Sequence, residues 1–189
     1  MSLKGSKTKS DFMNWNTFLL LVQKLERDNY NRYALLISIG TYCGLRISDV
    51  LKLRWQDILD TDMLELIEKK TKKQRNIKLH EDLKAIIRRT YKGQELHELV
   101  FINRFRSGSI RTQFVNDKFR ELFSVYNIKG RYTSHFMRKT LGRRVWEQNN
   151  HSEKSLFMLS QLFNHSSIQI TKIYLGIREE EIQDIYLNL

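Results

Sequence analysis

Apolar positions near the start of the chain fall three and four residues apart. Trp15, Phe18, Leu19, Val22 and Leu25 line one helical face behind the polar approach Ser10 to Asn14. A second helix is predicted from about Asn31 to Cys43. Its centre, Ala34-Leu35-Leu36-Ile37-Ser38-Ile39, is apolar on nearly every side, which assigns it to the middle of a core. Gly44, suited to a left-handed C-terminal position, should end it, and Ile47 to Leu53 reads as a short helix that stops before Trp55.

The period then changes. Asp60-Thr61-Asp62 is turn chemistry, Met63 to Glu68 and Arg75 to Leu79 read as two antiparallel strands, and the polar knot Lys69 to Gln74 joins them. Helical spacing returns over Glu81 to Tyr91, ending at Gly93, and along Ile110, Phe114, Phe119, Leu122, Phe123 and Tyr126. Another helix should start at Thr133 or Ser134, either of which can cap it, and run to about Gln148. Three more are predicted at Ser152 to Phe163, Ser167 to Leu175 and Glu179 to Leu187. No repeat or dividing linker interrupts the pattern, and no proline breaks a helix. The expected fold class is mostly α with a small antiparallel β-sheet, α+β, in one domain.

Composition narrows the function classes. With 41% apolar residues in 189, the chain can bury a core, which excludes wholesale disorder. The longest apolar run, Phe18 to Val22, is far short of the roughly 20 residues a membrane span needs, and the opening MSLKGSKTKS has no apolar signal region. A lone Cys43 excludes an internal disulfide and points to a reducing compartment, so the expected location is the cytoplasm, away from membranes. The formal net charge is +12, and its distribution is informative: Lys69 to Arg144 holds 21 basic and 6 acidic residues, the rest 12 and 15. A sustained central excess favours a polyanion, nucleic acid above all, because each cation placed on a phosphate releases condensed counterions.

Four short patterns carry candidate chemistry. Gly44-Leu45-Arg46 puts an arginine at a helix start directly after the buried helix. Lys70 lies in the knot between the strands, beside Lys69, Lys72 and Lys73. His135-Phe136-Met137-Arg138 would project imidazole and guanidinium from one face of a first helical turn. Tyr174 follows Asn164-His165-Ser166-Ser167 at nine residues from His165. That spacing spans opposite faces of a straight helix, so His165 must precede the helix that carries Tyr174, with Ser166 or Ser167 as its cap. Each pattern alone has an ordinary structural explanation; H-x-x-R is expected about 0.4 times by chance in this composition.

The ordered set resembles the catalytic domain of the tyrosine recombinases, the phage integrase family, over roughly Trp15 to Leu187. Leu53-Arg54-Trp55-Gln56-Asp57-Ile58 and Ile168, Thr171 and Ile173-Tyr174 are similar to the family's flanking sequence. The resemblance implies that Arg46 and Arg138 clamp a scissile DNA phosphate, Lys70 protonates the leaving 5′ oxygen and His135 does general acid/base work. It further implies that His165 hydrogen-bonds the phosphate, Tyr174 is the nucleophile that forms a 3′-phosphotyrosyl intermediate, and Asp49 supports the site. The choice of Lys70 over Lys69, Lys72 or Lys73 rests on aligning Arg75-Asn76-Ile77 with the family's second strand, and Lys78 stands where a proline is common in the family.

Also implied are double-stranded DNA as partner, a homo-oligomer, a tetramer, on DNA that is monomeric or weakly associated without it, and no metal, cofactor or ATP. The expected organisation is a disordered leader over residues 1–13 and a catalytic domain over 14–189, a fragment without the N-terminal DNA clamp. After the nucleophile, Ile182, Ile185, Tyr186 and Leu189 form a stripe that either packs on its own domain or, as the family implies, docks on a neighbouring protomer. Relaxation of DNA in the manner of type IB topoisomerases and a non-catalytic basic DNA-binding module are the alternatives.

Overall fold

A computed structural model describes residues 10–188, apart from the side chains of residues 178–180. In chain order the described elements are α1 (Trp15–Arg27), α2 (Asn31–Tyr42), α3 (Ile47–Val50), α4 (Trp55–Ile58), β1 (Met63–Ile67), β2 (Gln74–Lys78) and α5 (Glu81–Thr90). They continue with α6 (Thr112–Val125), α7 (His135–Gln148), α8 (Glu153–Phe163), α9 (Ile168–Leu175) and α10 (Ile177–Leu187). The expected class, mostly helical with one small sheet, is the observed one.

Helix α2 runs through the centre because every residue from Ala34 to Thr41 is buried. α1, α5 and α7 pack around it. Gly40 allows a close approach between α2 and α7: a Cβ there would collide with Met137 Sδ. Strands β1 and β2 pair antiparallel with Leu64 opposite Ile77 and Ile67 opposite Gln74; β1 stops one residue before the expected Glu68, and β2 lies one residue earlier at both ends than the expected Arg75 to Leu79. Two apolar clusters result. The larger takes in α1 to α7, including Phe136 and Met137; the smaller joins Leu156, Leu159, Phe163, Leu175 and Ile177 with Val145 and Trp146 of α7. Helix α7 therefore spans both, its first turn in one cluster and its last in the other.

Five expectations need correction. Residues 1–9 of the expected leader lie outside the described residues, but residues 10–13, assigned to it with them, are packed. Ser10 and Met13 are buried, Met13 N–H donates to Thr140 Oγ1 at 2.9 Å and Asp11 N–H to the Arg131 carbonyl at 2.8 Å. Two adjacent apolar residues, Phe12 and Met13, in a polar run give no periodicity, so only packing against α7 reveals it. Helix α4 was unexpected: four residues are too few to show a helical period, and the turn forms because the Asp57 carboxylate accepts the Arg54 N–H at 2.8 Å while Trp55 is buried. Ser134 stands at the start of α7 without a side-chain cap bond; Thr133 Oγ1 accepts from His135 N–H at a long 3.4 Å.

Finally, α10 begins at Ile177, two residues before the expected Glu179, because Gly176 at φ 80° ends α9 and opens the next helix. Ile182, Ile185 and Tyr186 are all exposed, which overturns packing of that stripe on its own domain; Leu189 lies outside the described residues.

Candidate active site

The site lies at the seam of the two clusters, where four chain segments converge. The first is the C-terminus of α2, where Gly44 at φ 59° turns the chain so that Arg46 precedes α3 in extended conformation. A side chain at Gly44 would also strike Leu141 Cδ2 at 2.7 Å. The second is the β1–β2 turn with its lysines. The first turn of α7 presents His135 and Arg138. The C-terminus of α8, capped by Asn164 in a left-handed conformation, carries His165 into the start of α9. Ser167 caps α9, its Oγ accepting from Ile170 N–H at 3.2 Å, and so orients the helix that bears Tyr174.

Both arginines turn onto one backbone oxygen. Arg46 Nη2 donates to the Phe163 carbonyl at 3.2 Å and Arg138 Nη2 to the same oxygen at 3.3 Å. Arg138 Nη1 also donates to the Gly44 carbonyl at 2.5 Å, and its guanidinium lies 4.7 Å from the Phe163 ring centroid. Arg138 is buried, and burial pulls its pKa down. Two carbonyls and an aromatic face thus hold a cation whose charge is not cancelled by a direct carboxylate partner in these contacts.

Arg46 does have a carboxylate partner, Glu68, which is not among the residues singled out from sequence. Glu68, 2% exposed, accepts from Arg46 Nη1 at 2.7 Å, from Arg75 Nη1 at 3.1 Å and from Thr71 Oγ1 at 2.7 Å. Burial opposes its ionisation, but hydrogen bonds from Thr71, Arg46 and Arg75 outweigh burial and hold its pKa below the usual range. Asp49, the acidic residue expected to support the site, is also buried, yet its Oδ1 accepts from Lys69 N–H at 3.0 Å. It ties the lysine turn to α3. Glu68 escaped sequence reasoning because it reads as the end of a strand, and the only available signal was a carboxylate two residues before the candidate lysine.

Lys70 is exposed in the turn after β1. After burial, the charges of Arg138, Lys139, Arg46 and Lys70 together hold the His135 pKa low. Lys73 takes a different part: its Nζ donates to Asn164 Oδ1 at 2.6 Å and pins the hairpin to the turn before His165.

Tyr174 is partly buried. Its ring meets His165 edge-on at 5.1 Å and Phe163 at 5.6 Å between centroids, with Lys139 Nζ 5.3 Å from the ring centre. Its hydroxyl is 3.5 Å from the His135 carbonyl, a long and weak contact. Burial raises its pKa, while the Arg138 guanidinium beside it and Arg46 act the other way. The His165 pKa is pushed down to about 4, first by burial and then by Arg138 and Arg46, and its Nδ1 lies 3.0 Å from Thr171 Oγ1. All six residues singled out from sequence belong to this neighbourhood. A cationic recess with a neutral phenol, neutral imidazoles and an exposed ammonium can bind a phosphodiester and attack it. Among the described residues no group of three or more His, Cys, Asp or Glu side chains could hold a metal ion.

Comparison with known proteins decides the family. Residues 12–181 match the Phage integrase family. The chain belongs to that family. Among its relatives is the Bacillus subtilis (strain 168) protein named Probable integrase/recombinase YoeC, 33% identical over 167 residues, 88% of this chain and 86% of the relative. A protein named Tyrosine recombinase from Agathobacter rectalis is 25% identical over 86% of this chain, which spans only 53% of that relative. The XerS recombinases of Streptococcus pyogenes are likewise matched over 47% of their length, so the chain spans about half of these longer family members.

Among solved structures, the fold matches a XerA recombinase with TM-score 0.68 at 18% identity, over 94% of this chain and 64% of the other. It also matches a lambda integrase dimer bound to a COC′ core site with TM-score 0.64 at 20% identity, over 90% and 49%. These likenesses establish the integrase-family catalytic-domain fold. No helix among the described residues is long and apolar enough to cross a membrane.

Proposed function

We propose that this chain is the catalytic domain, over residues 14–189 together with the packed residues 10–13, of a site-specific DNA recombinase that cuts and rejoins strands through Tyr174. The observation that carries this reading is the shared aim of Arg46 and Arg138 at one oxygen, with the Tyr174 and His165 rings 5.1 Å apart alongside. Membership of the integrase family supports it, as does the basic central segment.

The chemistry follows from the charges. Guanidinium forks held by Glu68, Gly44 and Phe163 stabilise charge that develops on the non-bridging oxygens of the scissile phosphate, with no reorganisation at the moment of reaction. Tyr174 Oη attacks phosphorus, the bond from phosphorus to the 5′ oxygen breaks, and a 3′-phosphotyrosyl bond replaces it. The phenol proton leaves to His135, whose depressed pKa keeps it neutral and able to accept. Lys70, an ammonium in the solvent-exposed turn, supplies the proton for the departing 5′ oxygen. His165 hydrogen-bonds the phosphate. Because the covalent bond conserves the phosphodiester energy, the reverse attack by a 5′ hydroxyl reseals the strand without ATP.

Double-stranded DNA is the substrate, and several copies assemble on it, a tetramer when strands are exchanged. Solved structures of the same fold, a lambda integrase dimer bound to a COC′ core site and a lambda integrase tetramer bound to a Holliday junction, support this reading. The exposed apolar side of α10 docks on the neighbouring protomer. The reaction belongs in the cytoplasm, on bacterial, phage or mobile-element DNA.

The test is a suicide DNA substrate nicked beside the cleavage site. A covalent protein–DNA adduct that disappears in Tyr174→Phe is expected. No adduct on any such substrate would leave a non-catalytic DNA-binding module, and adducts with plasmid relaxation but no strand exchange would leave a relaxing enzyme.

A further inference from the structure

Thr171 has no role assigned by its sequence, yet it is fully buried inside α9 and its hydroxyl faces the site. Two acceptors compete for its single proton. His165 Nδ1 lies 3.0 Å from Thr171 Oγ1, and the Ser167 carbonyl lies 3.4 Å from it. Hydroxyl donors ordinarily sit about 2.5–3.0 Å from their acceptors, so the carbonyl contact is weak and the imidazole contact strong. His165 is neutral near pH 7, since burial and the adjacent Arg138 and Arg46 charges depress its pKa to about 4. A neutral imidazole carries one N–H and one bare nitrogen, and the partner of one nitrogen fixes the role of the other.

We propose that Thr171 is a positioning residue that donates its hydroxyl proton to Nδ1 of His165, locks the imidazole in the Nε2–H tautomer and so makes His165 a hydrogen-bond donor to the phosphate. The rest of the geometry agrees. His165 N–H donates to the Ser160 carbonyl at 2.9 Å, and its ring is wedged between Phe163 and Tyr174 at 5.5 and 5.1 Å. Backbone and ring faces are therefore fixed, and the Thr171 contact settles rotation and proton placement. In the opposite tautomer Nε2 would be bare, would repel a phosphate oxygen and would compete as a base for the Tyr174 proton. Thr171 thus removes His165 from the set of bases and leaves the phenol proton to His135. Serine would keep the hydroxyl at this position and valine would keep the branched shape without it.

The inference rests on the strand-cleavage reading for its purpose, but its first readout does not need the reaction. Long-range proton–nitrogen spectra of the nitrogen-15-labelled chain at pH 7 should show His165 with a pyrrole-type Nε2 and a pyridine-type Nδ1. Thr171→Val should lose that lock, giving a mixed or reversed pattern, and should slow adduct formation on suicide DNA about tenfold. Thr171→Ser should restore both. A pyrrole-type Nδ1 in the unsubstituted chain overturns the proposal, as does a valine variant unchanged in tautomer and rate. If the unsubstituted chain forms no adduct while its spectra show Nε2–H, the cleavage reading fails and the tautomer assignment stands.

Discussion

Glu68 holds an arginine on each carboxylate oxygen and a threonine hydroxyl besides, all in a position almost closed to solvent. Removing one side of a buried pair strands the other, so Glu68→Ala should lower unfolding stability by about 3 kcal/mol in urea titrations. It should also release Arg46 from the site. Its folded pKa is depressed, so the stabilisation is complete above the usual carboxylate pKa and is lost as pH falls through the lower folded value.

His165 is a base whose folded pKa, about 4, lies below the ordinary 6.5. The unfolded chain takes up its proton first as pH falls, so stability should drop between about pH 6.5 and 4, with His135 acting in the same direction. Melting temperature followed from pH 7 to 5 should fall, and less steeply in His165→Gln. The motif residues Arg46, His135, Arg138, His165 and Tyr174 were legible because spacing and order survive without coordinates. Glu68 and Thr171 were not, since their significance lies in partners 22 and 6 residues away, respectively.

Two close approaches between elements place the residues proposed to be catalytic. Gly142 of α7 has Leu175 of α9 so near that a Cβ would sit 2.5 Å from Leu175 Cδ2 and 3.0 Å from a Phe163 ring carbon. Gly142→Ala gains helix propensity of about 1 kcal/mol but must displace the residue next to Tyr174. The expected outcome is a net loss of about 1 kcal/mol in chemical denaturation and a larger proportional loss of adduct formation.

Ser167→Ala removes the cap of α9 and should cost about 1 kcal/mol by the same measurement. Helix boundaries such as Gly44 and Ser167 were readable because a left-handed residue or a capping hydroxyl is a local requirement. The four-residue α4 and the packed residues 10–13 were not, because nothing local distinguishes them from loop. At this scale the lysine turn is tied twice, by Asp49 to α3 and by Lys73 to Asn164.

At the scale of the whole molecule, α10 leaves Ile182, Ile185 and Tyr186 in solvent. Deleting residues 181–189 should therefore shift the melting temperature of the free chain by no more than about 2 °C, while abolishing assembly of several copies on DNA in sedimentation or gel-shift measurements. If the free chain is strongly destabilised, the helix serves its own domain. The two-cluster architecture explains why the site is where it is. Helix α7 bridges both clusters, and this brings Arg138 of its first turn beside Tyr174, which packs against the smaller cluster. The sequence by itself determined the class of the fold, the helix periods and ends, the location of positive charge and the ordered chemical groups, because these depend on local spacing and residue type. Tertiary structure decided which carboxylate holds Arg46, which hydroxyl holds His165, how α10 is left uncovered and how two guanidiniums reach one oxygen. Those depend on contacts between residues distant in sequence, and burial and charge then act over a few ångströms of space, whatever the distance along the chain.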